Sequence, residues 1–405
     1  MSSDVAPLSK TTPSEPFVDG KRRIAATVEA HRDEILDLSH RIHANPEPAF
    51  EEHQAAGWVA GAIARHGYTV EHPAGSLATA VVGRLAGGRG GARPRIGILA
   101  EYDALPGLGH GCGHNTMAAS GVGAAIALAA IAAELSGEIV FLGTPAEERG
   151  SGKAIMIRDG LFDGLDAALL FHPSDVTCVE TRLLATEDVS VTFHGFQAHA
   201  ASEPWMGRNA LDAMILLFSS VGLWRQQLRP DSRVHGIIQE GGTAANIIPS
   251  RTRAWFMVRS PDEAYYRELR ERFQGLCEAA ALAADCTVEV EFSGGASTMK
   301  HNRTLGDRFA ANLAAYGIED RAPSDNLGSS DMGNVSQILP TIHPCVAICE
   351  EGVPGHSLDF RDAAASPRAD EITLLVAALI AQTAYELFAD EGLVDTAWRE
   401  FRGQS

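Results

Sequence analysis

The alternation of apolar and polar positions divides this chain into recognisable blocks. Lys21 to Arg41 repeats apolar side chains at helical spacing (Ile24, Val28, Ile35, Leu38), and His53 to His66 does the same until Gly67 ends it. Three short apolar runs come next, each stopping at chemically capable residues. Arg95 to Ala100 runs into Glu101-Tyr102-Asp103, Glu138 to Gly143 into Thr144-Pro145-Ala146-Glu147-Glu148, and Asp166 to Phe171 into His172-Pro173. The intervening stretches Met117 to Ala133 and Lys153 to Gly160 read as helices. Unbroken apolar strands alternating with helices predict an α/β domain, its mostly parallel sheet covered by helices on both faces. Ligands of such sheets sit beyond the carboxyl ends of the strands, where the polar clusters fall.

The texture changes near Ser190. Val189 to Phe193 alternates like a half-exposed strand, and Arg208 to Gln227 reads as an amphipathic helix. Strands Arg233 to Gln239 and Arg251 to Val258, a helix from Pro261 to Ala284 and a strand Thr287 to Phe292 come after it. That β-α-β-β-α-β order predicts an inserted ferredoxin-like α+β domain over 189–296. The chain then returns to the first domain with helices near Thr304 to Ala315 and Ala369 to Phe388. The first domain is therefore discontinuous, 21–188 with 297–405, preceded by a loose tail over 1–20 rich in Ser, Thr and Pro.

Composition narrows the partners. Among 405 residues, 45% are apolar and 21% charged, enough to build a sizeable core. A formal charge of −19 argues against nucleic acid or an anionic membrane as partner, since phosphate binding needs clustered cations. Six cysteines without paired spacing suit a reducing cytoplasm better than a disulfide scaffold. Met1 to Gly20 lacks the basic start and apolar stretch of a signal peptide. Met117 to Ala133 falls short of a bilayer span of about 20 residues. The expectation is a soluble protein.

Two clusters carry most of the candidate chemistry. In Gly109-His110-Gly111-Cys112-Gly113-His114-Asn115, a thiol and an imidazole two positions apart can face one metal ion across a glycine-rich turn, or pack as a buried Cys beside a structural His. In Pro145-Ala146-Glu147-Glu148, two adjacent carboxylates repel unless a cation lies between them; one can bind metal while the other takes a proton from water. The alternative is a solvated pair capping a helix. His172 and His356, taken singly, are ordinary histidines. Convergence changes their weight, because Cys112, His114, Glu148 and His172 all lie beyond successive parallel-strand ends one β-α-β step apart. In the insert, His199 and Asn246 lie on loops from which an imidazole and a carboxamide can polarise a carbonyl, or simply cap turns. Arg259 is placed either to pair with a substrate carboxylate or to lie on the surface, and Gly355 beside His356 is a further candidate substrate contact.

The ordered set Ala100-Glu-Tyr-Asp103-Ala-Leu-Pro106, Gly111-Cys-Gly-His114-Asn115, Pro145-Ala-Glu147-Glu148, Ala198-His199-Ala-Ala, Gly207-Arg-Asn-Ala-Leu-Asp212, Gly241-Gly-Thr-Ala-Ala-Asn246-Ile-Ile-Pro249 and Gly328-Ser-Ser-Asp331-Met resembles metallopeptidase family 20. The likeness is closest to its amidohydrolase branch of aminoacylases, indole-acetyl-amino-acid hydrolases and aminobenzoyl-glutamate hydrolases, and runs from about residue 25 to 385. It implies that Cys112, His114, Glu148, His172 and His356 hold two divalent ions, zinc first, with manganese, cobalt or nickel as alternatives. Cys112 stands where other branches carry a bridging Asp. The resemblance also implies that Glu147 is the general base, Asp103 a carboxylate orienting a ligand or the base, His199 an oxyanion-stabilising group, and Asn246 a substrate-binding amide. It further implies that the insert is a lid and the surface of a homodimer. Glu101-Tyr-Asp103 replaces the branch's Asp-x-Asp, and Asn115 its usual Asp. Both variants look like the aminobenzoyl-glutamate and dipeptide-hydrolase side of the branch.

The expected activity is metal-dependent hydrolysis of N-acyl or aminobenzoyl amino acids, with a dipeptidase as close alternative. A hydrolase using Cys112 as nucleophile, or a non-catalytic binding protein on the same fold, is the remoter reading.

Overall fold

A computed structural model describes residues 17–323 and 328–404. Most of the expected tail, 1–16, lies outside the described residues. Its last part does not behave as a tail, because a helix already begins at Val18 (Val18–Ala30). The single helix expected over Lys21 to Arg41 is two, Val18–Ala30 and Arg32–Ala44, broken at His31.

The chain divides into two compact units, one holding the chain up to Arg182 and most of the chain from Met299 onward, the other Leu183–Thr298 with a short segment ending at Gly333. The second unit thus extends beyond 189–296 at both ends and takes in residues 328–333, which pair back through a Leu183–Gly328 bridge.

The first unit is built on a six-stranded sheet. In spatial order its strands are β1 (Thr69–Glu71), β2 (Val81–Ala86), β4 (Glu138–Thr144), β3 (Arg95–Glu101), β5 (Ala167–Leu169) and β11 (Thr341–Ile342). β4, β3, β5 and β11 run parallel, whereas β2 is antiparallel to β4 and β1 to β2. The run Ile96 to Glu101 is buried throughout, as a strand covered on both faces requires. The helix His114–Ile131 lies against it, and its small residues permit a close approach: a side chain at Gly121 would stand 2.8 Å from the Leu99 carbonyl oxygen. With its following turn, His114–Glu134 is long and apolar enough to span a bilayer, as is Pro367–Ala389, contrary to the short span expected; both are core helices here, with 83% and 89% of their apolar windows buried.

The third apolar run also differs from expectation. β5 covers only Ala167–Leu169, and the chain then leaves the sheet so that His172–Ser174 (β6) pairs in parallel with Cys345–Ala347 (β12) in a separate two-stranded ladder. The chain closes with a helix the sequence pattern did not suggest, Glu391–Phe401.

The second unit carries β7 (Ala185–His194), β8 (Arg233–Glu240), β9 (Arg251–Ser260) and β10 (Thr287–Ala296) in the antiparallel order β10-β7-β9-β8, with helices Ala210–Trp224 and Glu263–Ala283. Burial alternates residue by residue along β9, so one face packs on the helices and the other faces away. Val189, Val191, Phe193, Leu217, Phe256 and Phe273 form the middle of its core.

Candidate metal centre

Four chain segments converge at the carboxyl ends of the parallel strands of the first unit. β3 ends on Glu101 and passes through Tyr102 to Asp103, all three buried. The Asp103 carboxylate accepts an N–H from His114 Nδ1 at 3.0 Å through one oxygen and the Glu148 backbone N–H at 2.9 Å through the other. His114 Nδ1 also lies 3.0 Å from the Asp103 carbonyl oxygen. A hydrogen on Nδ1 is therefore committed there, and the buried Nε2, which has no hydrogen-bond partner among the described residues, is the ring atom left to hold either a proton or a cation. Burial opposes a charged His114, yet Asp103 more than offsets it and raises the imidazole pKa well above its ordinary value. A divalent cation at Nε2 would supply that positive charge in place of a proton.

β4 leads into Pro145 and Ala146, whose φ of 60° is in the left-handed region, and so into Glu147 and Glu148. Glu52 props this turn. Its Oε1 accepts the N–H groups of Ala146 and Phe50, each at 2.9 Å, while Oε2 accepts the Thr79 hydroxyl at 2.8 Å. Burial, then the neighbouring Asp103 charge, pushes the Glu52 carboxyl up to about 7. The Glu148 carboxyl is raised too, chiefly by burial, and its Oε1 lacks a hydrogen-bond partner among the described residues.

β6 begins with His172, whose Nδ1 donates to the Pro173 carbonyl at 2.7 Å and leaves Nε2 facing Cys112 Sγ at 3.5 Å. Burial, then the His114 charge, lowers this imidazole to about 4, so it is neutral and able to donate a lone pair. Cys112 is followed by a glycine that the turn requires. Gly113 has φ 75°, and a side chain there would approach the Pro173 ring to 2.7 Å. His356, also left-handed at φ 59°, donates its backbone N–H to the Gly111 carbonyl at 2.9 Å. Its Nε2 is 3.4 Å from Cys112 Sγ and 3.6 Å from Glu148 Oε2.

The donors form interlocking groups. One ligand atom from each of Cys112, His114 and His172 lies within 4.8 Å of the others, and the same holds for Cys112, Glu148 and His356, and for Glu101, His114 and Glu147. Sulfur, imidazole and carboxylate together suit zinc-type cations, and His114 Nε2 and Glu148 Oε1 have no hydrogen-bond partner among the described residues. The donor set suits divalent cations, and the Cys112 sulfur belongs to two of the groups.

Gly355 is exposed and has open space where a side chain would start. In the second unit, exposed His199 accepts the N–H groups of Ala201 at 3.1 Å and Ser202 at 3.2 Å on Nδ1, so Nε2 carries the hydrogen and faces outward as a donor. Its loop pairs with that of Asn246, whose carbonyl accepts the Ala200 N–H at 3.1 Å. Arg259, next to the end of β9, turns one guanidinium nitrogen to the Met257 sulfur at 3.4 Å, while its buried Nε has no partner among the described residues.

Sequence reasoning missed three buried groups. Glu52 lies far upstream in a polar loop, and Lys153 stands among apolar positions of a helix that gives no hint of a counter-ion. His343, buried with its ring 5.6 Å from that of His172, comes just after a two-residue strand. The signal available was Glu101, an acid ending a wholly apolar run.

Residues 97–379 match the profile of Peptidase family M20/M25/M40. The chain is 37% identical over 402 residues to Xaa-Arg dipeptidase of Mus musculus, covering 94% of this chain and 92% of that protein. It is 30% identical over 459 residues to one of the subunits of p-aminobenzoyl-glutamate hydrolase of Escherichia coli K12, covering 94% of each. A crystal structure of a dinuclear metal binding peptidase of the M20 family from Bacillus subtilis superposes with TM-score 0.64 at 19% identity, covering 87% of this chain and 99% of that one. The profile spans well over half of the sequence and the relatives nearly all of it, so the chain belongs to Peptidase family M20/M25/M40 and is an enzyme that hydrolyses amide bonds.

Proposed function

We propose that this protein hydrolyses the amide bond of small N-acyl or aminobenzoyl amino acids with a pair of divalent cations, zinc foremost, held by Cys112, His114, Glu148, His172 and His356. The carrying observation is that two ligand groups share the Cys112 sulfur while a carboxylate of Glu147 reaches the same cluster. Bound there, the cations supply Lewis-acid polarisation and lower the pKa of water. Glu147 takes the proton of the attacking water and returns it to the leaving nitrogen. Asp103 fixes His114 by its Nδ1–H, and also holds the Glu148 backbone N–H. His199 offers Nε2–H to the carbonyl oxygen as charge builds on it, Asn246 binds beside it, and Arg259 and Gly355 meet the rest of the substrate.

The dipeptide reading has its own support, since the mouse relative at 37% identity is named Xaa-Arg dipeptidase. The second unit would serve as lid and homodimer surface. In favour of this, Leu223 and Ile215 on its first helix are 77% and 52% exposed, and Ile237 on the edge strand β8 is 57% exposed. Six unpaired cysteines suit a reducing cytoplasm.

The test is a panel of N-acyl amino acids, aminobenzoyl-glutamate and dipeptides, run on chelated protein reloaded with zinc or manganese separately. Activity that survives thorough chelation would overturn the cation reading. Turnover confined to dipeptides would replace the first substrate class with the second.

A further inference from the structure

One buried pair at the centre has no part in the chemistry just assigned. Glu101 and Lys153 are both completely buried, and Lys153 Nζ lies 2.5 Å from Glu101 Oε1. The other oxygen, Oε2, stands 3.3 Å from His114 Nε2. That second approach is unusual. His114 Nδ1 already donates to Asp103, so what Glu101 Oε2 faces on Nε2 is the place of a positive charge, a proton or a cation in its stead. Two electron-rich atoms facing each other in a water-free interior repel unless positive charge lies between them. A carboxylate oxygen of Glu147 joins them, one ligand atom from each of Glu101, His114 and Glu147 lying within 4.8 Å of the others, as donors to one cation would. Lys153 accounts for why an extra carboxylate is tolerated there: it neutralises one oxygen and leaves the other free.

We propose that Glu101 is a further ligand of the cation held by His114, binding through Oε2 alone, and that Lys153 is the positioning residue that holds its other oxygen away. This rests on the cation reading above and deepens it. Wherever a bidentate carboxylate would crowd the His114 side, the lysine enforces single-oxygen binding. It also trims the negative charge that Glu101, Glu147, Glu148 and the Cys112 thiolate together bring to the pair.

The two side chains can be separated by substitutions with opposite expected signs. In Glu101→Gln, one equivalent of zinc binds about 100-fold more weakly by chelator competition, the other is retained, and the rise in Tm on adding zinc shrinks. In Lys153→Met, Glu101 loses the ammonium that faces Oε1 and depends more on the cation for neutralisation, so the zinc-induced rise in Tm grows beyond that of the wild type. Cobalt-loaded Glu101→Gln should show a changed visible absorption for one ion, reporting an altered ligand set without reference to turnover. If Lys153→Met does not fold, the Glu101→Gln affinity and the cobalt spectrum still decide. If both variants lower Tm equally with and without zinc and bind two equivalents as the wild type does, the pair is only an internal brace and the proposal falls. A wild type that binds no cation would instead overturn the cation reading itself.

Discussion

Glu147 and Glu148 are neighbours in the chain, yet the turn at Ala146 gives them different surroundings. Glu148 stands with Cys112 and His356, and Glu147 with His114 and Glu101. A base must be spared from holding the cations for its substitution to be specific. Glu147→Gln is therefore expected to keep its metal content by elemental analysis while kcat falls about 100- to 10,000-fold. Full activity in that variant would remove Glu147 from the role of base. Glu52 acts at the same scale but on stability. Its carboxyl ionises at about 7 in the folded protein against an ordinary 4.5. Between those values the folded state binds more protons than the unfolded one, so its contribution to stability is full below about 4.5 and declines as pH rises through about 7. Glu52→Gln cannot ionise and removes that decline. Urea midpoints of the two proteins should therefore converge or cross as pH rises from about 5 to about 8, and a constant gap would contradict the assignment.

At the scale of elements, the strand ends do the positioning. β3, β4 and the chain leaving β5 deliver Glu101, the Glu147–Glu148 pair and His172, and the helix His114–Ile131 carries His114 on its first turn. These were legible because a strand buried on both faces must be apolar throughout, so the first polar residue after it stands out. What the pattern hid is equally physical. β1 is short and largely exposed, and nothing in single-strand periodicity says that β2 runs antiparallel to β4 and its parallel neighbours. The β6–β12 ladder joins residues far apart in the chain through backbone hydrogen bonds, which leave no mark on composition. Lys153 resembles any helical lysine until its partner is known. The close packing of the helix on β3 gives the prediction proper to this scale. Gly121→Val would force a side chain against the Leu99 carbonyl at 2.8 Å and the Ala100 methyl at 2.9 Å. It should cost about 1–3 kcal/mol in urea unfolding and weaken cation binding too, since His114 rides on the same helix.

For the whole molecule, the contrast between its two units is one of surface. The first covers its apolar helices almost completely, whereas the second leaves Leu223 on its first helix at 77% exposure and Ile237 on the edge strand β8 at 57%. Apolar side chains around a free edge are where a second copy gains most by association. Leu223→Glu is expected to shift a dimer to monomer in light scattering coupled to size-exclusion chromatography, leaving the urea midpoint of the first unit unchanged. A wild type that is already monomeric at high concentration would count against the dimer.

The sulfur of Cys112 faces both His172 and His356, at 3.5 and 3.4 Å. A carboxylate in its place would be inert to peroxide; a thiol is not. With the proposed cations held by that sulfur, its oxidation to sulfenic acid would take a donor from each, so peroxide should release them and abolish turnover. Reduction by a small thiol should then restore ion uptake.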